Sequence, residues 1–173
     1  MRVVLLGDSH LARVRRDLHR IGPDVCNAAR GGSRALDLLP QAASATVTGR
    51  DVVVVSVGTN DAAPWKQVPV ESFADLLLEC LQSAPAGRRI YLAPPGVDEQ
   101  RLTGPRDRTN ATIDEYREAA ISACSEAEAR VVRTDRVIEP IGSGAFVDDG
   151  LHLSGPAYQL VLPAIAEAVR AAV

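Results

Sequence analysis

Three short stretches, Val3 to Leu6, Val52 to Val57 and Ile90 to Ala93, are apolar at nearly every position and are bounded by turn residues. A strand with one face in water alternates apolar and polar side chains, so a run without alternation is covered on both faces. Weaker runs of the same kind lie at Val25 to Ala29 and Arg130 to Thr134. Between them the period switches to that of a helix. Leu11, Val14, Leu18 and Ile21 mark a first helix; Phe73, Leu76, Leu77, Cys80, Leu81 and Ala84 mark another. Ile113, Tyr116, Ala120, Cys124 and Ala127 define a long one, and Tyr158, Val161, Leu162, Ile165 and Val169 a last one, capped by Ser154 with Pro156 in its first turn. Pro40 would clash with the carbonyl of Leu36 in a continuous helix, so a turn is expected there with a helix restarting at the proline. Strands alternating with helices over short connections specify a parallel sheet covered on both sides, with right-handed crossovers.

A chain of 173 residues with 46% hydrophobic content forms one domain, residues 1–173, with a sizeable core. Aromatic residues make up only 3%, so that core is built from Val, Leu, Ile and Ala. Nineteen Lys and Arg against 22 Asp and Glu give a net charge of −3. No basic stretch is concentrated enough for a phosphate backbone, so no nucleic acid partner is expected. The opening apolar run is too short for a signal peptide or a membrane span, so a soluble, cytoplasmic protein without a membrane partner is expected. Cys26, Cys80 and Cys124 are odd in number and lie in apolar segments, which fits reduced core thiols. No amphipathic segment is left over once the helices are assigned to the sheet, so no oligomeric state can be read.

In a parallel sheet ligands bind at the carboxyl ends of the strands. Ser9 follows the first strand, Gly31 and Gly32 the second, and Gly58, Thr59, Asn60 and Asp61 the third, all on one edge. Asp149 and His152 stand three positions apart near the far end of the chain. A serine hydroxyl is a poor nucleophile until an imidazole takes its proton, and the imidazole needs a carboxylate to fix its tautomer. Taken singly, Ser9, Asn60 and Asp61 read as caps of helices or turns. Taken together with His152 and Gly32, they read as a catalytic set. A nucleotide site is disfavoured, because Gly7, Asp8 and Ser9 lack the glycine spacing of a pyrophosphate cradle and no P-loop lysine is present. Trp65, in a loop between Pro64 and Pro69, either lines a substrate pocket or anchors the loop, and His10 is a polar residue at a helix start that could touch substrate. His19 lies on a solvated face. Arg101, Arg106 and Arg108 alternate with Asp98, Glu99 and Asp107 in the segment from Pro94 to Thr109, which reads as a solvated loop, with a clamp for an anionic substrate as the alternative.

Gly7, Asp8 and Ser9 resemble the opening block of the SGNH, or GDSL-like, hydrolases. Asn27 to Gly32 is similar to their second block, in which a glycine follows an asparagine by five; Gly58 to Asp61 matches their GxND block and Asp149 to His152 their DxxH block. The four stand in the family order across nearly the whole chain. The resemblance implies a flavodoxin-like three-layer α/β/α sandwich with a parallel five-stranded sheet, and ester hydrolysis without metal or cofactor. It implies that Ser9 is the nucleophile, His152 the general base and acid, and Asp149 its orienting partner. The oxyanion hole would comprise the backbone N–H groups of Ser9 and Gly32 and the side-chain amide of Asn60. His10 stands where leucine is most often found, and Ala29 where many members have glycine. Histidine after the serine and a DxxHLS ending also occur in polysaccharide O-acetyltransferases of this architecture, which keeps acyl transfer open. The expected function is a serine esterase acting on small acyl esters, acetyl to butyryl, including O-acetyl groups on a sugar or metabolite. Alternatives are an acyltransferase with the same triad and a non-catalytic binding module. Trp65 and His10 are the expected substrate contacts.

Overall fold

The computed structural model describes residues 1–102, 104 and 107–171. Five strands, β1 (Val3–Gly7), β2 (Val25–Asn27), β3 (Val52–Ser56), β4 (Arg88–Leu92) and β5 (Arg130–Val132), form one sheet in the order β2-β1-β3-β4-β5. Every pairing is parallel, with Val3 opposite Val25 on one side and Val52 on the other. This is the flavodoxin-like order, and its direction reverses between β1 and β3. The crevice at the carboxyl ends of those two strands is therefore where the topology leaves room for a ligand.

The residues of β1 and β3 are buried throughout because each face meets helices. Val4, Leu6, Val53, Val55 and Tyr91 pack on one side with α2 (Leu38–Ser44), α3 (Val70–Ser83) and α4 (Asn110–Glu126). Phe73 and Tyr116 meet there edge to face at 5.1 Å. Val3, Leu5, Val52, Val54, Ile90 and Leu92 pack on the other side, against Leu11 of α1 (Ser9–Ala12) and Val161, Leu162, Ile165 and Val169 of α6 (Gly155–Ala171). Each fully buried aliphatic side chain contributes about 1.5–3 kcal/mol, so the contacts between sheet and helices on both faces are a main source of the fold's stability. Cys80 and Cys124 are buried, Cys26 half-buried, and all three are free thiols.

The first helix is shorter than its periodicity predicts. After Ala12 the chain continues as two 3-10 turns, Arg13–Arg16 and Leu18–Arg20, which break at Asp17. Leu11, Val14 and Ile21 are nevertheless buried, so apolar spacing is satisfied without a continuous helix. Pro40 sits in the first turn of α2, two residues later than a helix starting at the proline would place it. A first-turn N–H has no intrahelical partner to lose, so proline is accommodated there. The short α5 (Thr134–Ile138) and the 3-10 segment Glu139–Ala145 have no periodic signature in the sequence. Ser154 caps α6 as expected, its hydroxyl accepting the Ala157 N–H. Among the described residues no helix is long and apolar enough to cross a membrane.

Candidate active site

β1 ends at Gly7, where φ is +120° and a Cβ would stand 1.9 Å from the carbonyl oxygen of Ser56. Only glycine lets the two strands stay paired here while the chain turns into α1. Asp8, rather than Ser9, is the N-cap: its Oδ1 accepts the His10 N–H at 3.0 Å and the Ser56 hydroxyl at 3.3 Å. The capping reading of Ser9 is thereby overturned. Ser9 is the first residue of α1, half-buried, and its hydroxyl has no hydrogen-bond partner among the described residues. Asp8 is wholly buried, which pushes its carboxyl up to about 7 despite those two hydrogen bonds, and its Oδ2 has no partner among the described residues.

The loop after β2 is drawn over this turn. A Cβ on Gly31 would lie 4.0 Å from Cβ of Ser9, and Gly32 follows with φ of +83°. Gln41 of α2 fixes the arrangement. The Gly7 N–H donates to its Oε1 at 2.6 Å, while its Nε2 donates to the Gly7 carbonyl at 3.1 Å and to Ser33 Oγ at 2.9 Å. A side-chain amide thus takes the part of a strand neighbour at the end of β1. Sequence reasoning missed Gln41; a lone amide between Leu38 and Ala42 on the buried face of α2 was the available signal.

The loop after β3 joins the same network. Both oxygens of Asp61 are occupied, Oδ2 by the Gly58 N–H at 2.9 Å and Oδ1 by the Ala35 N–H at 2.8 Å, so Asp61 does act as a turn cap. Asn60 donates through Nδ2 to the Ser33 carbonyl at 3.1 Å, and its amide retains a second proton. Through that bond the loop after β3 meets, at a notch, the loop whose Gly31 lies against Ser9.

The Asp149–His152 turn reaches this edge from the other end of the chain. Asp149 Oδ2 lies 2.6 Å from His152 Nδ1, and its Oδ1 accepts the N–H groups of Leu151 and His152, each at 2.9 Å. Burial works to raise the carboxyl, but these hydrogen bonds outweigh it and hold Asp149 down to about 2. With Nδ1 turned to the carboxylate, Nε2 is the ring nitrogen left for another group. The His152 ring stands 6.5 Å from that of His10, the residue next to Ser9. Gly150, with φ of +67°, wedges the turn against the 98–101 loop: a Cβ there would lie 2.5 Å from the Asp98 carbonyl oxygen and 2.9 Å from Arg101 Cβ. The Asp98 N–H donates to the Gly150 carbonyl at 2.7 Å.

His10 is 2% exposed, with Nε2 3.4 Å from Thr59 Oγ1 and Nδ1 unpartnered among the described residues. Burial, followed by the nearby His152, Arg13 and Arg108, pushes it down to about 3, so its ring is neutral. Trp65 is 62% exposed, in the 3-10 turn Pro64–Lys66, with the Arg108 guanidinium 5.0 Å over its ring. Arg108 corrects the solvated-loop expectation: it is only 4% exposed, donating to the Thr59 carbonyl and to Asp107, both at 2.8 Å. Its flat cation is buried with Nε and Nη1 hydrogen-bonded and one face against the Trp65 ring. Arg101 stays at the surface between Asp98 and the Phe146 carbonyl, and Arg106 lies outside the described residues.

The GDSL-like lipase/acylhydrolase family model matches residues 6–160. No curated protein matches the chain. Among solved structures, the chain is similar to a lipase/acylhydrolase from Enterococcus faecalis, at 22% identity and a TM-score of 0.78, covering 99% of this chain and 96% of that one. It is also similar to an α/β hydrolase enzyme from the metagenome of Lake Arreo, Spain, at 17% identity and a TM-score of 0.75, covering 99% and 96%. An acetylxylan esterase from Geobacillus stearothermophilus shares 14% identity at a TM-score of 0.72, covering 97% and 93%. The family match spans all four sequence blocks, and the structures share the sheet and its helical layers from end to end; this chain belongs to the GDSL-like lipase/acylhydrolase family, whose members are carboxylic ester hydrolases.

Proposed function

We propose that the protein is a serine esterase for small acyl esters, working through Ser9, His152 and Asp149. The observation that carries this reading is the 2.6 Å contact between Asp149 and His152 Nδ1, which leaves Nε2 as a base on the edge where the unpartnered Ser9 hydroxyl sits. Asp149, held down to about 2, stays ionised across the working pH range and stabilises the imidazolium that forms when His152 takes the serine proton. Ser9 Oγ then attacks the ester carbonyl, and His152 returns the proton to the departing alcohol. Water, activated by the same imidazole, hydrolyses the acyl-enzyme. Apo catalytic hydrogen bonds are often looser than those in the substrate complex, so an unclosed Ser9–His152 pair is compatible with this cycle.

The negative charge of the tetrahedral intermediate would be met by the N–H of Ser9, the N–H of Gly32 and the second amide proton of Asn60. The first is an orphan donor at the start of α1. Each such donor, already aimed, is worth on the order of 3 kcal/mol in a dry site. The same acyl-enzyme could pass its acyl group to an acceptor alcohol, and the release of free acid in plain buffer separates hydrolysis from transfer. A serine-directed phosphonate should add a single adduct to the intact mass, and Ser9→Ala should abolish both the adduct and turnover of p-nitrophenyl acetate. Adduct formation that survives Ser9→Ala would remove Ser9 from the nucleophile's role.

A further inference from the structure

Lys66 is the only lysine in the chain, and it stands at the notch just described. Its Nζ donates to the Gly32 carbonyl at 3.1 Å, which occupies one of its three hydrogens. Arg34 Nη1 donates to the Lys66 carbonyl at 3.1 Å, which brings a second cation to the same rim. Among the described residues neither Lys66 nor Arg34 forms a salt bridge. The carboxylates nearby are turned elsewhere: Asp61 to two backbone N–H groups, Asp37 to the Arg34 backbone N–H, Asp107 to Arg108, Asp149 to His152, with Asp8 wholly buried beneath. The ammonium of Lys66 is disfavoured first by partial burial and then by Arg108 and Arg34, with Asp61 and Asp8 opposing, so three cations share this rim while among the described residues no carboxylate forms an ion pair with Lys66 or Arg34.

We propose that Lys66 and Arg34 form an anion subsite beside Gly32 and Asn60, so that the preferred ester carries a carboxylate or phosphate group close to its scissile carbonyl. The inference rests on the esterase reading above for its substrate, but the subsite itself is a binding property of these side chains. The chemistry fits a planar anion: Arg34 presents the remaining donors of a fork and Lys66 a point charge with free hydrogens. Trp65, held under Arg108, supplies an open flat wall at the same rim. The anion could belong to the acyl part of the ester or to its alcohol part, and both would meet the same two cations.

The test has a binding arm and a kinetic arm. Trp65 is the only tryptophan and adjoins Lys66, so its fluorescence reports on the subsite. In Ser9→Ala protein at fixed ionic strength, succinate or inorganic phosphate should give a saturable change in emission, whereas neutral succinamide should give none. The apparent affinity should fall at least tenfold in Lys66→Met and be largely restored in Lys66→Arg. Absence of saturation with both anions, or equal titrations for Lys66→Met and its parent, overturns the proposal.

In the active protein, kcat/KM is compared for monoethyl and diethyl succinate, which place the charge on the acyl side. It is also compared for 4-acetoxybenzoate and its methyl ester, which place it on the alcohol side. One pair should favour its anionic member, and that preference should drop at least tenfold in Lys66→Met. A preference unmoved by Lys66→Met in both pairs, or an equal loss on both members of a pair, also overturns the subsite. No turnover of any ester alongside intact anion binding would instead count against the esterase reading and leave the subsite standing.

Discussion

Asp8 and His10, on either side of Ser9, are both buried and ionisable, and their burial acts in opposite directions on stability. Asp8 is pushed up to about 7 by burial, with Asp61 adding to the rise and Lys66 opposing it. Its contribution is fully present below its ordinary value of 3.8 and is lost as pH climbs towards 7, because the folded state holds a proton that the unfolded chain releases. His10 is pushed down to about 3 by burial, then by His152, Arg13 and Arg108, with Asp149 opposing. Between about 6.5 and 3 the unfolded chain takes a proton that the folded state refuses, so stability falls as pH drops through that window. Each effect amounts to no more than about 5 kcal/mol. Asp8→Asn keeps an Oδ1 acceptor for the His10 N–H, and it should melt above the parent at pH 8 with the advantage fading towards pH 4. His10→Leu, similar in size and neutral, should melt above the parent at pH 5 with the gap closing above pH 7. Thermal melts at a series of pH values decide the matter, and curves that run parallel to the parent would contradict both statements. The local partners at this scale were readable: Asp149 and His152 are three positions apart and do meet. Lys66 with Gly32, 34 positions apart, and Arg108 with Trp65 depend on how loops cross over the sheet edge, and no spacing encodes that.

At the scale of elements, the apolar runs located all five strands, because burial on both faces leaves so plain a mark in the sequence. Only their ends moved: β4 begins at Arg88 and β2 and β5 are three-residue edge strands, shorter than their runs. Helices with a full apolar stripe, α3, α4 and α6, were equally legible. The first helix was not, since Leu11, Val14 and Ile21 can reach the core from 3-10 turns as well as from an α-helix. α5 was invisible because five residues are too few to establish a period. The element on which catalysis should be most sensitive is the turn around Gly150. A methyl group there collides with backbone and side-chain atoms of the 98–101 loop and forces a residue with a Cβ into a left-handed conformation. Gly150→Ala should therefore shift the Asp149–His152 pair off Ser9 and lower kcat by at least tenfold while the protein remains folded by circular dichroism. Unchanged kcat would mean that the turn can relax without moving His152.

For the molecule as a whole, the described helices pack on the two faces of the sheet or on each other there, and none is left to roof the strand ends. The cavity of about 430 Å³ lined by Val97, Asp98, Glu99, Asn110 and Phe146 includes neither Ser9 nor Asn60 nor His152 in its walls. A site not roofed by any described helix should be too shallow to bury a long alkyl chain, and the roughly 0.8 kcal/mol available per buried methylene should then stop accumulating after a few carbons. Among p-nitrophenyl esters, kcat/KM should be highest from acetyl to butyryl and flat or falling beyond; a steady climb to decanoyl would require a channel beside Trp65. The layered architecture followed from strand and helix alternation alone, whereas the depth of the site depended on loops whose paths only the three-dimensional structure defines. One further consequence follows from the clasp between Gln41 and Gly7. The Gly7 amide is held by a side chain of α2 instead of a neighbouring strand. Undocking of that seven-residue helix would release it while the rest of β1 stays paired. In deuterium exchange Gly7 should lose protection ahead of Val4 and Leu5, and on warming the nucleophile's seat should come undone before the sheet beneath it melts.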